Sequence, residues 1–144
     1  MIEENQIKFT ALKEMNLPLG EYMITGSGAL GIRNLREIGD IDIVVTPSLW
    51  KILAAKYGIT MEIGYQKIVF PGNLIEAFGE DSYYGDTEAK DPKAKNVPKI
   101  AERIAMADII DGLPFECLEH VLFYKRKMGR DKDLKDILLI ESFV

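Results

Sequence analysis

Asp40 and Asp42 are the residues whose type and spacing point most directly to chemistry. They open the run Asp40-Ile41-Asp42-Ile43-Val44-Val45, whose Ile and Val content predicts a strand over residues 40–45. Side chains at i and i+2 of a strand share a face, so the two carboxylates project together and Ile41, Ile43 and Val45 turn to the core. Carboxylates held that close repel unless a cation lies between them. Mg²⁺ suits such a pair, because it takes carboxylate oxygens and keeps positions open for phosphate. An Asp-x-Asp pair also occurs on plain exposed sheet faces, which is the alternative reading of these two residues.

Gly26-Ser27-Gly28 follows a short strand candidate, Tyr22–Thr25, and precedes a short helix candidate over Ala29–Leu35. A strand-to-helix turn presents backbone N–H groups to an anion, and Ser27 adds a hydroxyl. No Gly-Lys-Ser/Thr follows and there is no three-glycine fingerprint, so this is neither a Walker loop nor a dinucleotide-binding turn. Glu76 is the acid within the apolar stretch Leu74-Ile75-Glu76-Ala77-Phe78. It is the candidate third carboxylate, with Glu62 its competitor; the alternative is an edge-strand acid facing water.

Gly26-Ser27, twelve residues, then Asp40-Ile41-Asp42 resembles the signature of the nucleotidyltransferase superfamily. The resemblance implies an α/β (α+β) domain with a mixed sheet, flanking helices and two C-terminal helices. It implies that Gly26 and Ser27 hold a triphosphate, that Asp40 and Asp42 bind Mg²⁺, and that Glu76 completes the catalytic acids. The reaction would move a nucleoside monophosphate from an NTP to a hydroxyl acceptor. A second match lies near the end of the sequence: Lys125, then Gly129-Arg130-Asp131-Lys132-Asp133-Leu134-Lys135-Asp136-Ile137. It is similar to a pattern of small nucleotidyltransferases related to the abortive-infection toxins. Carried over, Lys125, Arg130, Lys132 and Asp133 line the nucleotide cleft. The plainer reading makes Asp131 an N-cap, with Asp133 in the first helical turn.

The elements that must position these residues can be read from caps and turns. Helices are expected over Glu3–Asn16 (carrying Ile7, Leu12 and Met15), from Pro47 to Tyr57, over Glu116–Met128 and over Asp131–Phe143. Thr46 caps the second of these, Pro47 opens it and Gly58 closes it. Short strands are expected around Thr60–Ile63, Lys67–Phe70, Leu74–Phe78 and Ala107–Ile110, with Pro71-Gly72-Asn73 as a turn and Asp111-Gly112 as a stop. A βαβ unit across Tyr22–Val45 would have a short connection. Residues 79–98 read as a long polar loop, and Lys99–Arg103 as a helical turn. On the first C-terminal helix Leu118, Val121, Leu122, Lys125 and Gly129 share a face, so Lys125 must snorkel, meet a carboxylate or enter a cleft. Arg33 and Arg36 either meet the nucleotide or face solvent. His120 is expected at the surface and Cys117 as a packing residue.

The length of 144 residues fits one domain, 1–144, with its own core. A net charge of −5 argues against gripping nucleic acid through the global field. A patch of Lys90, Lys93, Lys95 and Lys99, or stacking by Tyr83 and Tyr84, could still serve RNA or a base. One cysteine excludes an internal disulfide. No stretch reads as a signal or a membrane span, so a cytoplasmic protein is expected. Three functions follow: an Mg²⁺-dependent transferase acting on RNA, protein or a small molecule; an inactive nucleotide- or partner-binding module; and a toxin–antitoxin interaction protein.

Overall fold

Alternation along the central strands divides the apolar residues between two sides of one sheet. A computed structural model of the chain describes residues 3–80 and 99–143. Its strands are β1 (Tyr22–Thr25), β2 (Ile41–Val45), β3 (Thr60–Glu62), β4 (Tyr65–Val69), β5 (Ile75–Phe78), β6 (Asp108–Ile110) and β7 (Leu113–Phe115). Its helices are α1 (Glu3–Glu14), α2 (Ser27–Gly31), α3 (Pro47–Tyr57), α4 (Ile100–Ala105), α5 (Leu118–Met128) and α6 (Asp131–Phe143). The strand order is β3-β4-β5-β2-β1-β7-β6. The sheet is mixed, with β2 parallel to β5, β1 parallel to β7 and the other neighbours antiparallel. The α/β architecture is therefore the expected one.

On one side Ile41, Ile43 and Val45 join Ile24, Ile68, Ala77 and Phe115, covered by Phe9 and Leu12 of α1 and Leu49 and Leu53 of α3. On the other, Met23, Val44 and Phe78 pack under Ile100 and Ile104 of α4. A third cluster joins Ala29 and Leu30 of α2 to Val121 and Ile140 of α5 and α6. The C-terminal helices are thus docked on the short helix that follows the Gly26 turn.

Several local expectations change. α1 buries Phe9 and Leu12, whereas Ile7 is 61% exposed. The buried Asn5 side chain ties α1 to the approach to β2, accepting from the Ile38 N–H and donating to the Arg36 carbonyl. β1 and β2 are antiparallel, so the segment through α2 is not a parallel crossover unit. β7 is an additional strand, paired to β6 across Asp111-Gly112. Both turn residues have positive φ (51° and 80°), the geometry that an Asp-Gly hairpin turn requires. Thr46 accepts from the Leu49 N–H as the cap of α3. No helix among the described residues is long and apolar enough to cross a membrane.

Candidate active site

The pairing of β1, β2 and β5 builds a polar row. Thr25 stands opposite Asp42 across the antiparallel pair, and Asp42 stands beside Glu76 across the parallel pair. Residues in register share a face, so Thr25, Asp42 and Glu76 lie side by side at one end of the face that carries Met23, Val44 and Phe78 farther along. The register therefore sets Glu76 beside Asp42 across the parallel pair. Asp40 lies in the bend before β2 and is exposed; the strand itself begins at Ile41.

Lys67 of β4 answers the charge of Glu76. Its Nζ is 2.6 Å from Glu76 Oε2 and 3.3 Å from Glu62 Oε1, so the two competing acids share one cation. The Glu76 carboxylate paired with it raises the Lys67 pKa, against a smaller opposing effect of burial. Among the described residues no group of three or more His, Cys, Asp or Glu side chains forms a ready metal cage. Mg²⁺ does not need one, because it binds through one or two carboxylates and completes its shell with water and substrate phosphate. Asp40, exposed in the bend before β2, and Asp42, half-buried on the strand, are carboxylates of the type that donor set calls for. Glu76 already has Lys67.

Thr25 runs directly into the turn. Gly26 has φ 62° and ψ −137°, a conformation that a side chain disfavours, and Ser27 begins α2. A Cβ on Gly28 would stand 2.6 Å from Ile24 Cγ2, so the helix also needs glycine there to sit against β1.

The C-terminal pattern meets this turn. A narrow cleft of about 20 Å³ is lined by Gly26, Lys125, Arg130 and Asp133, with Thr25, Glu116 and Tyr124 among its walls. That is room for about one water. Its charges are paired across α5 and α6. The Arg130 Nε donates to Asp133 Oδ2 at 2.7 Å, and the Arg130 backbone N–H donates to the same oxygen at 3.1 Å. Lys125 Nζ lies 2.9 Å from Asp136 and 3.5 Å from Asp133. Asp136 also accepts from Arg36 at 2.7 Å. Lys125 thus meets buried carboxylates instead of snorkelling. Burial pushes the Asp133 carboxyl up, but the Arg130 guanidinium and N–H, with Lys125, hold it below its ordinary value. Asp131 is the first helical residue and not the cap; Asp133 accepts the preceding N–H in the manner of a capping box. Lys132 is exposed and does not line the cleft.

The sequence carries no signal for the neighbouring buried network. Arg103 and Glu116 are both 0% exposed. Arg103 Nε donates to Glu116 Oε2 at 2.6 Å and its Nη2 to Oε1 at 3.2 Å. Thr25 Oγ1 donates to the same Oε1 at 2.5 Å. The Arg103 guanidinium also lies 4.2 Å from the Tyr124 ring centroid and donates to the Tyr124 hydroxyl.

The remaining candidates fall outside the polar row. Arg33 pairs with Asp108 at 2.8 Å and donates to the Ala29 carbonyl. His120 is buried, 7% exposed, with Nδ1 lacking a hydrogen-bond partner among the described residues. Burial pushes the Cys117 thiol up, away from a reactive thiolate. Tyr83, Tyr84, Lys90, Lys93 and Lys95 lie outside the described residues. Comparison with family models, with curated proteins and with solved structures finds no match for this chain.

Proposed function

We propose that the chain is a nucleotidyltransferase, transferring a nucleoside monophosphate from an NTP to a hydroxyl on RNA, a protein or a small molecule. One observation carries the reading: the register that lines up Thr25, Asp42 and Glu76 on one face, with the Gly26-Ser27 turn continuing from Thr25. Asp40 and Asp42 would hold Mg²⁺, which supplies charge neutralisation at the phosphates. The Gly26-Ser27 backbone and Lys125 or Arg130 would orient the triphosphate. The acceptor oxygen bonds to the α-phosphorus while the bond from that phosphorus to the bridging oxygen breaks, and pyrophosphate departs. The hydroxyl proton passes to a carboxylate of the same face. Positioning and charge neutralisation provide most of the acceleration in such displacements, so few side chains suffice.

A second reading is favoured by the Lys67–Glu76 pair and by the narrow, internally paired cleft. There the domain binds a nucleotide or a partner, in the manner of an inactive or toxin–antitoxin protein, without transfer. Thermal-shift titration with ATP, CTP, GTP and UTP, each with and without Mg²⁺, tests both, because a ligand bound to the native state raises apparent stability. The transferase reading expects one NTP to stabilise the protein only with Mg²⁺, and Asp40→Ala/Asp42→Ala to abolish the response. Stabilisation that ignores both Mg²⁺ and the double substitution favours the binding module. No shift with any nucleotide removes both nucleotide readings and leaves a protein or RNA partner.

A further inference from the structure

We infer that Arg103 and Glu116 form a buried clamp that positions the Gly26-Ser27 turn against the Lys125 end of α5; calling that turn an anion site rests on the function proposed above. Glu116 grips the end of β1 twice. Its backbone N–H donates to the Ile24 carbonyl at 2.8 Å, and its side chain accepts from Thr25, the residue before Gly26. Arg103 reaches from α4 and uses three donor atoms, two on Glu116 and one on the Tyr124 hydroxyl. Tyr124 immediately precedes Lys125. One guanidinium therefore ties together the residues flanking both sides of the cleft, and Thr25, Glu116 and Tyr124 themselves line it.

Stability alone does not call for such a pair. A buried Arg–Glu contact gains little over apolar side chains of similar volume, because both charges lose their water. What it adds is direction: the planar fork fixes the carboxylate, and the carboxylate fixes the Thr25 hydroxyl. Gly26 is conformationally permissive and α2 has five residues, so the turn has little rigidity of its own. Arg103, Glu116, Thr25 and Tyr124 are thus positioning residues.

The test is amide hydrogen exchange on Thr25→Val and Thr25→Ser, with Mg²⁺-tripolyphosphate titration of the same proteins. The reporters are the Ala29 and Ile32 amides, which donate to the Gly26 and Gly28 carbonyls. Thr25→Val should accelerate their exchange by about tenfold, the loss of one typical hydrogen bond. Ile43 in β2 should exchange as in wild type, and Thr25→Ser should restore wild-type rates. Unchanged exchange at Ala29 and Ile32 overturns the clamp, as does equal acceleration at Ile43, which marks general loosening. Tripolyphosphate should bind wild type and Thr25→Ser alike, and Thr25→Val several-fold more weakly; equal affinity in all three also overturns it. Tyr124→Phe examines the other arm without touching β1 and should weaken tripolyphosphate binding while Ile43 exchanges as in wild type; wild-type affinity in this variant overturns that arm of the clamp. If tripolyphosphate does not bind wild type while Thr25→Val still loosens the turn, the clamp stands and the nucleotide reading fails.

Discussion

Replacing Glu116 by leucine should be among the most damaging single changes in the protein, and the damage should shrink when Arg103 is replaced as well. Glu116 is fully buried and accepts from Arg103 twice and from Thr25 once. Glu116→Leu removes that acceptor and leaves a guanidinium in the interior, a loss that typically costs about 3–5 kcal/mol. Domains of this size are stable by only about 5–15 kcal/mol, so the variant should approach marginal stability at 25 °C. With a urea m-value of about 2 kcal/mol/M, the midpoint should fall by about 2 M. In Glu116→Leu/Arg103→Met neither charge of the Arg103–Glu116 pair remains, and the midpoint should recover at least half of that loss. Urea titrations of the wild type, both single variants and the double variant complete the cycle. A Glu116→Leu loss below about 1 kcal/mol would refute the reasoning, because that is the range of exposed ion pairs. So would a double variant as unstable as the sum of the singles.

Three further outcomes follow from the same geometry. Asp133 has a depressed folded pKa, so its contribution is present above the unfolded carboxylate value of about 3.9 and is lost as pH falls through the folded value. Asp133→Asn should therefore lower stability near neutrality and flatten its decline below about pH 4, as read by urea midpoints across pH. Lys67 has a raised folded pKa, so its contribution is complete below the unfolded value of about 10.4 and is lost as pH rises through the folded value. Lys67→Met should flatten the alkaline limb, and should also strengthen Mg²⁺ stabilisation in thermal-shift measurements by exposing Glu76 to an outside cation. Gly28→Ala drives a Cβ against Ile24 and should cost about 1–3 kcal/mol, measurable as a lower urea midpoint.

The parts of the fold written in short-range chemistry were legible. Thr46, Pro47 and Gly58 bound α3, and Gly129 ends α5 in the left-handed conformation. The alternation of Ile41, Ile43 and Val45 against Asp42 matches the two sides of the sheet. Glu76 was readable as a lone acid in an apolar strand, and the β2–β5 register is what sets it beside Asp42. Long-range pairing was not readable. Arg103–Glu116, Lys67–Glu76 and Arg36–Asp136 join residues from separate elements, and local patterns do not encode them. His120 was misplaced because the face of α5 that packs inward includes His120, Val121 and Tyr124, and not the Lys125 stripe alone. β7 escaped because it has three residues, one of them Pro114, although Asp111-Gly112 is a good hairpin signal.

The central claim, that the acid row and the Gly26 turn form one metal–nucleotide site, is tested most directly by paramagnetic broadening. Mn²⁺ would be titrated with the stabilising NTP into ¹⁵N-labelled protein. The account predicts that the amides of Gly26, Ser27, Asp42 and Glu76 broaden first, and that Asp42→Asn abolishes the effect while leaving the rest of the spectrum folded. Broadening centred elsewhere, or the same broadening in Asp42→Asn, contradicts it.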